Sequence, residues 1–541
     1  MMPEIELLIR HFNGEVWNKD TQVKFMQVLR EGSFFEGTGT NDPAFSARDR
    51  INRAPKALGF VNLKPVISLT PAGEELLNSK RKDEVFLRQM LKFQIPSPFH
   101  KPTKKAATFN VKPYLEMLRL VRTMGTLRFD ELQIFGMQLT DYRDFDVIVN
   151  KIEAFRVAKV QNKGSYRVFK SEYINRELGE IFRERIATGE IKTRESNDAS
   201  LQKFLKTQSS NMRDYADACF RYLRSTGLVS VSHVGKSLSI VPEHVKDVDY
   251  ILENVSPVPI HVDDEKAYVS YLSNPKIPQL YTDDKNLLSE KLSREFPEVQ
   301  VDDKMPAKEM KELLNDLIEE RKRERIDRQI VSIKDYREYN DIQNTFDQIV
   351  NKELYDSPLM MEWNTWRAMT MLDGGEIKAN LNFDDFGLPL SNATGNLADI
   401  VCDYGDYMVC VEVTMQSGQR QYEMEGEPVT RHLGNLKKTA NKPCYCLFVA
   451  PKIHEACVAH FYTLYHLNLE IYAGTSEIVP LPLEVFRKML EDSYKADFTP
   501  NPMHVRNFFE KSRELATSGI SETEWYDEII SLATNNWLHI S

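Results

Sequence analysis

The chain has 541 residues, too many for one hydrophobic core, and we expect about three or four domains. With 42% hydrophobic and 28% charged residues, no long apolar run and no secretion signal, it is predicted to be a soluble cytoplasmic protein without a membrane partner. The net charge of −10 would argue against a DNA partner, but residues 1–250 carry +9 and the remainder −19, so a basic half precedes an acidic half.

Residues 1–95 are predicted to form a mainly α, winged-helix-like DNA-recognition subdomain. Within them, residues 43–78 indicate a cationic helix, a short strand pair and a second helix that begins at Pro71 after Thr70. Proline suits the first helical position because its missing N–H would have no partner there. The helix before the strand pair would present three cations to a DNA groove or to phosphates: Arg48, Arg50 and Arg53.

Residues 96–255 are predicted to form a second winged-helix-like recognition subdomain. In residues 200–245 an apolar face at helical spacing precedes a hairpin pattern around Gly235. For every cation of the two subdomains, a solvated helix face is the alternative to a DNA contact. The candidate DNA-binding residues of this helix and of the segment between the two subdomains are Lys92, Gln94, Lys101, Lys104, Lys105, Arg213, Arg221 and Arg224.

Residues 256–340 are predicted to be a charged helical linker. Residues 284–340 are dense in Glu, Lys, Arg and Asp, and leucines recur there at helical spacing. Mixed charge of this kind is typical of a solvated helix face. One or two long exposed helices would act as a semi-rigid spacer between the two halves.

Residues 341–541 are predicted to form a small α/β domain built on a mixed sheet. One helix is expected over residues 344–372, then strands at 397–404 and 406–414 joined by a tight turn at Gly405, and a helix near residues 429–440. Five of the six cysteines fall in this domain, and we expect them to be small buried hydrophobic residues rather than zinc ligands.

Two carboxylates stand out in the strands of this domain. Asp399 opens the first strand and Glu412 lies in the next, on the same strand face as Met408, Cys410 and Thr414 by the period-two rule. Burying a lone carboxylate is costly unless it is paired or bound to a cation, so this pattern predicts a metal site. Two oxygen ligands on adjacent strands suit Mg²⁺, which also binds substrate phosphates.

The spacing of twelve residues between Asp399 and Glu412 is similar to that of the PD-(D/E)xK nuclease signature. Ala398 stands in place of the proline of that signature, and Thr414 stands in place of its lysine. More specifically, residues 393–432, ATGNLADIVCDYGDYMVCVEVTMQSGQRQYEMEGEPVTRH, closely resemble the catalytic block of the AlwI family of type IIS restriction endonucleases. The likeness continues, in the same order along the chain, at FSARDR, FLRQMLKFQIPS, RDYADACFRYLRSTGL, NPKIPQL and CLFVAP.

The resemblance implies a function and a set of site residues. The N-terminal half would recognise a short asymmetric double-stranded DNA site, and the C-terminal half would cut a few bases outside it with Mg²⁺, for which Mn²⁺ is expected to substitute. Asp399 and Glu412 match the family's metal-binding carboxylates, Glu425 a further active-site carboxylate that could orient or deprotonate water, and Glu362 a glutamate on the preceding helix. His432 is a candidate proton donor or phosphate contact, with simple packing as its alternative.

Three functions remain open at this stage. The first is a type IIS endonuclease, and the second is a strand-specific nicking enzyme or the large subunit of a heterodimeric enzyme, which differs in assembly rather than in chemistry. Because one active site cuts one strand at a time, cutting both strands would require a homodimer or a small partner subunit; a cognate DNA methyltransferase is expected in the same system. The third is a winged-helix DNA-binding regulator without catalysis. The sequence has no GxxxxGK[ST] loop, which disfavours an NTP-driven enzyme.

Overall fold

The computed structural model describes residues 1–32, 42–100, 109–193, 196, 198, 200–302, 304–372, 375–392, 397–498 and 500–540. The expected basic cluster at Lys101, Lys104 and Lys105 lies outside the described residues. The chain divides into two compact units, Met1–Leu317 and Ile318–Ser541, called unit 1 and unit 2 below. None of the helices in the described ranges is both long and apolar enough to cross a membrane.

Unit 1 is mainly helical and contains two small antiparallel sheets. One sheet pairs β1 with β2, and the other has the strand order β3-β5-β4. The strands are β1 Val61–Asn62, β2 Ser68–Leu69, β3 Thr126–Arg128, β4 Val229–Ser232 and β5 Ser237–Ile240. The helices are α1 Met2–Phe12, α2 Lys19–Glu31, α3 Pro43–Ile51, α4 Pro71–Asn78, α5 Lys82–Lys92, α6 Pro113–Met124, α7 Phe129–Ile134, α8 Phe145–Gln161, α9 Tyr166–Ile181, α10 Arg183–Ala187, α11 Leu201–Arg224, α12 Val245–Asn254, α13 Glu265–Ser273 and α14 Lys285–Glu295. A further helix, α15 Ala307–Lys334, includes the boundary between the units.

The first helix, strand pair and helix follow the order that the sequence predicts. The Thr70 hydroxyl accepts a hydrogen bond from the Gly73 N–H at 3.0 Å, so α4 begins at Pro71 as expected. The α11 helix is likewise followed by the β4–β5 hairpin, which turns at Gly235. The sequence gives no signal for β3. This strand pairs with β5, which lies more than a hundred residues later in the chain. The winged-helix assignment itself stays a prediction.

The charged helical linker predicted over residues 256–340, with exposed helices over 284–340, is corrected in its first part and on one face of α15. Leu272 on α13 and Leu292 on α14 are buried, and Lys291 on α14 forms a buried ion pair with Asp247 at 2.7 Å, so residues 256–296 pack within unit 1. On α15, Met310, Leu314 and Ile318 form a buried stripe at a spacing of four residues. The high charge content of α15 does not reveal this stripe, since one apolar residue per helical turn is enough to pack a charged helix against its neighbours.

Unit 2 is an α/β unit on a five-stranded mixed sheet, as predicted. Its order is β12-β11-β10-β9-β6, with β10, β11 and β12 parallel and with β6, β9 and β10 antiparallel. A separate hairpin joins β7 to β8. The strands are β6 Glu376–Ala379, β7 Leu381–Phe383, β8 Pro389–Asn392, β9 Ile400–Asp403, β10 Met408–Val413, β11 Cys444–Ala450 and β12 Ile478–Pro482. The helices are α16 Tyr339–Val350, α17 Ser357–Leu372, α18 Gln419–Ala440, α19 Glu455–Leu464, α20 Leu483–Lys495, α21 Pro502–Ala516 and α22 Glu522–Asn535.

Helices cover both faces of this sheet. Val409 and Val411 point to the larger core, which includes α16, α17 and α20 to α22, whereas Cys410 points to a smaller core with α18 and α19. All six cysteines are free and buried, which confirms the predicted burial of the five in this unit. The single helix predicted over residues 344–372 is instead two helices, because Lys352 and Asp356 have positive φ angles of 58° and 54° that a right-handed helix cannot contain.

Candidate active site

The two central carboxylates lie on neighbouring antiparallel strands. Ile400 on β9 pairs with Val411 on β10, so one further step along the ladder places Asp399 opposite Glu412. Asp399 immediately precedes β9, and its Oδ2 accepts a hydrogen bond from the Val413 N–H at 2.9 Å. The sequence prediction that these strands present both side chains together therefore agrees with the register.

The electrostatics of this pair are those of crowded acids. Burial and then the negative charges of Glu412 and Glu425 raise the pKa of Asp399 well above its ordinary value, although the Val413 N–H lowers it. Glu412 is itself buried in the strand. A cation at this position would relieve the repulsion and stabilise the charged forms of both groups.

Helix α18 supplies two more side chains to the same face of the sheet. Glu425 and His432 are seven residues apart, or two helical turns, and therefore lie on one face of the helix. Glu425 Oε1 accepts a hydrogen bond from the Thr414 hydroxyl at 2.6 Å, and His432 Nδ1 lies 2.8 Å from Glu412 Oε1. The helix begins ten residues earlier than its sequence pattern predicts, so that Glu425 lies within it.

Glu362 approaches from α17, where its side chain is buried. Burial and the nearby charge of Asp399 raise the pKa of Glu362 to about 9, while a hydrogen bond from Asn392 opposes the shift. In that bond Asn392 Nδ2 donates to Glu362 Oε1 at 2.7 Å. The hairpin that carries Asn392 thus holds the fourth carboxylate near the other three.

The donor set fits a hard cation such as Mg²⁺. Within the described ranges, no group of three or more His, Cys, Asp and Glu side chains is arranged to enclose a metal by itself. Mg²⁺ does not require one, because it keeps several water ligands and often binds through one or two carboxylates and substrate phosphates. Asp399 and Glu412, which lie opposite each other on the two strands with Glu412 buried, are the pair best suited to this task.

The three arginines predicted for the helix before the strand pair lie on α3 (Arg48 and Arg50) and in the short helical turn after it (Arg53), and all have partners within unit 1. Arg48 donates to Gln22 at 3.0 Å, Arg50 pairs with Glu4 at 2.8 Å, and Arg53 pairs with Asp49 at 2.7 Å. Arg53 is the most accessible, with 77% of its side chain exposed. On α11, Arg213 is exposed, and Arg221 is exposed beside Asp217 at 3.0 Å. These placements leave Arg53, Arg213 and Arg221 accessible to DNA.

Three predicted DNA contacts are corrected by burial. Lys92 is 0% exposed, and its Nζ donates to the carbonyl oxygens of Leu272 at 2.8 Å and Asn274 at 2.7 Å. Gln94 is also fully buried and exchanges hydrogen bonds with the backbone of Ile260. Arg224 is buried near the end of α11. Sequence alone suggested an open basic segment because the partners of Lys92 and Gln94, at Leu272 and Ile260, lie 180 and 166 residues further along the chain.

Sequence reasoning missed the polar side chains that orient the acids. Thr414 was placed on the Glu412 face but given no role, although the period-two pattern pointed to it. Gln421, fully buried on α18, bonds the carbonyl oxygens of Gln416 and Lys452, and no sequence signal marks it. Asn392 also lacks a signal, since its hairpin meets Glu362 only through the tertiary fold.

Carboxylates gathered at the end of a mixed sheet, on a chain whose other half is basic, are the features of a nuclease. The chain matches the AlwI restriction endonuclease family over residues 56–489 and belongs to that family. It is accordingly a restriction endonuclease, and DNA is its substrate.

Solved structures with partial similarity are also restriction endonucleases. The small subunit of the heterodimeric enzyme R.BspD6I is 25% identical over 35% of this chain and 97% of its own, with a TM-score of 0.30. The BpuJ1 endonuclease binding domain, solved with modified DNA, is 14% identical over 50% of this chain and 90% of its own, with a TM-score of 0.33. Restriction endonuclease FokI is 13% identical over 88% of this chain and 84% of its own, with a TM-score of 0.24. No curated protein sequence matches the chain.

Proposed function

We propose that this restriction endonuclease is a type IIS enzyme of the PD-(D/E)xK type. Unit 1 recognises a short asymmetric site in double-stranded DNA, and unit 2 hydrolyses phosphodiester bonds a few bases outside it. The observation that carries the proposal is the placement of Asp399 opposite Glu412, with Glu425 directed to the same end of β10. This arrangement provides hard ligands and a further carboxylate side by side, as phosphodiester hydrolysis requires.

Asp399 and Glu412 would hold Mg²⁺, for which Mn²⁺ would substitute. When bound, the cation would polarise a phosphoryl oxygen and lower the pKa of a water molecule. His432 Nδ1, at 2.8 Å from Glu412 Oε1, orients that carboxylate. The Val413 N–H orients Asp399 in the same way.

Glu425 is the residue that we propose takes the proton of the attacking water. A carboxylate is suited to this role when it lies within hydrogen-bond reach of the water and keeps its negative charge. The position that a lysine commonly occupies in related nucleases is Thr414 here, so no lysine amine lies two residues after Glu412 to act as the base instead. Glu362, held by Asn392, completes the acidic rim of the site.

DNA recognition is assigned to the accessible cations of unit 1. Arg53, Arg213 and Arg221 are exposed, with Arg48 and Arg50 partly so, and arginine can make bidentate contacts to guanine edges or to phosphates. A cognate methyltransferase would protect the same site in the host DNA.

A nicking enzyme, or the large subunit of a heterodimer, is the alternative within the same chemistry. Each chain offers one cluster of Asp399, Glu412 and Glu425, and one such site cuts one strand at a time. Double-strand cleavage would therefore proceed through a homodimer or with a small partner subunit. A DNA-binding regulator without catalysis is the alternative from another class, and the retained carboxylates argue against it.

Cleavage of supercoiled plasmid with Mg²⁺, followed by run-off sequencing of both strands, tests the proposal. We expect cuts at a constant offset from one short asymmetric motif, on one strand or on both. Plasmid that stays intact with both Mg²⁺ and Mn²⁺, but is still bound at a specific site, would instead support the regulator.

A further inference from the structure

Thr414 lies at the end of β10 on the strand face of Glu412, and only 7% of its surface is exposed. We propose that Thr414 is a positioning residue for DNA hydrolysis, whose hydroxyl holds Glu425 in place at the carboxylate cluster. The inference rests on the proposed endonuclease function and adds a residue to which that function gives no role. Thr414 acts through Glu425 and does not itself contact the reacting atoms.

The direction of the hydrogen bond follows from the partners of the hydroxyl. The Gln416 N–H donates to Thr414 Oγ1 at 3.1 Å, which occupies a lone pair of the oxygen. The single hydroxyl proton is then available to Glu425 Oε1, 2.6 Å away. The short distance is typical of a charge-assisted bond from a hydroxyl to a carboxylate.

The backbone around Thr414 is held on both sides. Its own N–H donates to the Val449 carbonyl at 3.1 Å, which continues the pairing of β10 with β11 beyond the last strand residue. The connection to α18 is tied by buried Gln421, whose Nε2 donates to the carbonyl oxygens of Gln416 at 3.0 Å and Lys452 at 2.9 Å. Gln421 lies one turn before Glu425 on α18. Hydrogen bonds therefore connect the end of β10, the loop after it and the start of α18 around the Thr414–Glu425 bond.

The chemistry of the donor also favours this role. A lysine at this position would bring a positive charge next to Glu425 and weaken the carboxylate as a base. A hydroxyl carries no charge, so it restricts the rotation of the carboxylate without placing a cation beside it. Thr414 therefore orients Glu425 without neutralising it.

The test compares Thr414→Val, Thr414→Ser and wild type in single-turnover cleavage of supercoiled plasmid with Mg²⁺. Valine matches threonine in shape but lacks the hydroxyl, and we expect the cleavage rate constant to fall by about 10- to 100-fold, which is the usual effect of losing a hydrogen bond to a charged group. The Kd for DNA should stay within about twofold, since the residue does not touch DNA. Serine keeps the hydroxyl and should restore the rate to within a few fold of wild type.

Thr430→Val is the matched control. Thr430 is a buried threonine on α18 whose hydroxyl donates to the Gly426 carbonyl of the same helix at 2.8 Å and contacts no carboxylate. This control should cleave at nearly the wild-type rate. If it loses as much activity as Thr414→Val, a general loss of buried hydroxyls explains both, and the proposal is overturned.

A double-mutant cycle with Glu425→Gln separates positioning from a merely structural role. If Thr414 acts through Glu425, adding Thr414→Val to Glu425→Gln should reduce the rate little further, whereas independent effects would multiply. If Thr414→Val melts at a lower temperature than wild type, Thr414→Ala replaces it in the same cycle. A Thr414→Val protein that cleaves like wild type overturns this inference and leaves the endonuclease intact; a wild-type protein that does not cleave overturns both.

Discussion

Burial and the nearby charge of Glu412 raise the pKa of Asp399, so a charged Asp399 opposite Glu412 is destabilised unless a cation lies between the two carboxylates. A buried carboxylate pair of this kind lowers the free energy of unfolding of the metal-free protein but provides ligands for a cation. The same two positions were identified from a strand pattern alone, because a strand alternates strictly and a carboxylate on its buried face is conspicuous.

Replacing Asp399 by Asn should separate stability from activity. Asparagine keeps the size of the side chain and an oxygen for the Val413 N–H but removes one of the repelling charges. We expect the cleavage rate to fall by about 1,000-fold or more, since a metal ligand is lost. In metal-free buffer the melting temperature should equal or exceed that of wild type. Thermal melts with and without Mg²⁺, beside plasmid cleavage, measure both; wild-type cleavage by Asp399→Asn would falsify the assignment.

Lys92 and Arg213 should respond in opposite ways to substitution by Ala. Lys92 is enclosed by carbonyl oxygens, and burial lowers its pKa to about 7, so Lys92→Ala should reduce the free energy of unfolding by about 2–4 kcal/mol. Arg213 is exposed, so Arg213→Ala should leave stability within about 0.5 kcal/mol of wild type and weaken DNA binding. Denaturant titration and gel-shift binding distinguish the two; unchanged stability of Lys92→Ala would contradict its structural role.

At the scale of elements, an ionic cluster joins three segments of unit 1. Arg88 on α5 donates to Asp283 at 2.8 Å and to Glu84 at 2.8 Å, and Lys311 at the start of α15 donates to Asp283 at 3.0 Å. Asp283 follows α13 in the chain and lies in a short turn before α14. The cluster therefore docks the first part of α15, which composition alone suggested was free in solvent.

Asp283→Asn should destabilise unit 1 in a pH-dependent way. Burial raises the pKa of Asp283, but the hydrogen bond and charge of Arg88, together with Lys311, outweigh burial and lower the pKa to about 2. Since the folded pKa lies below the ordinary value of 3.8, this stabilisation is present above that pH and is lost as the pH falls towards 2. We expect a loss of about 1–2 kcal/mol at neutral pH, discounted for the 22% exposure of the side chain.

Chemical denaturation at pH 7 and at the lowest pH at which the protein stays folded provides the measurement. The difference between wild type and Asp283→Asn should narrow below pH 3.8, because the unfolded wild-type chain then gains a proton at Asp283 while the folded protein gains it only near pH 2. Asp316→Asn is the control, since its ion pair with Lys80 is well exposed and should contribute little. An equal penalty at both pH values would contradict an electrostatic origin.

The elements themselves were predictable where the signal is local. The start of α4, the β4–β5 hairpin and the strands that carry Asp399 and Glu412 follow from capping residues and alternation. The break between α16 and α17 was missed, although Pro358 at the start of α17 is a local signal for it. The ends of elements depend on tertiary contacts as much as on propensity, which explains errors of this kind.

At the scale of the whole molecule, the proposed single active site per chain predicts the order in which the cleavage products form. We expect open circular DNA to accumulate before linear DNA when supercoiled plasmid is in excess over enzyme. If a homodimer makes the second cut, the rate of linearisation should rise more steeply than linearly with protein concentration; if a small partner subunit makes it, linear DNA should not form from this chain alone. Direct conversion to linear DNA by a protein that stays monomeric on DNA would contradict the single-site prediction.

The sequence by itself determined the class of the protein and the mixed sheet, and it predicted the acidic residues that the structure brings together, because strand alternation, buried charge and the catalytic block are properties of contiguous residues. Only the tertiary structure decided which cations are exposed and which polar groups orient the acids. Lys92 is enclosed by α13, Glu362 is held by a hairpin, and Glu425 is held by Thr414 across a strand and a helix. Burial and hydrogen bonding depend on segments that are distant in the chain, and local patterns carry no information about which distant segment will pack against them.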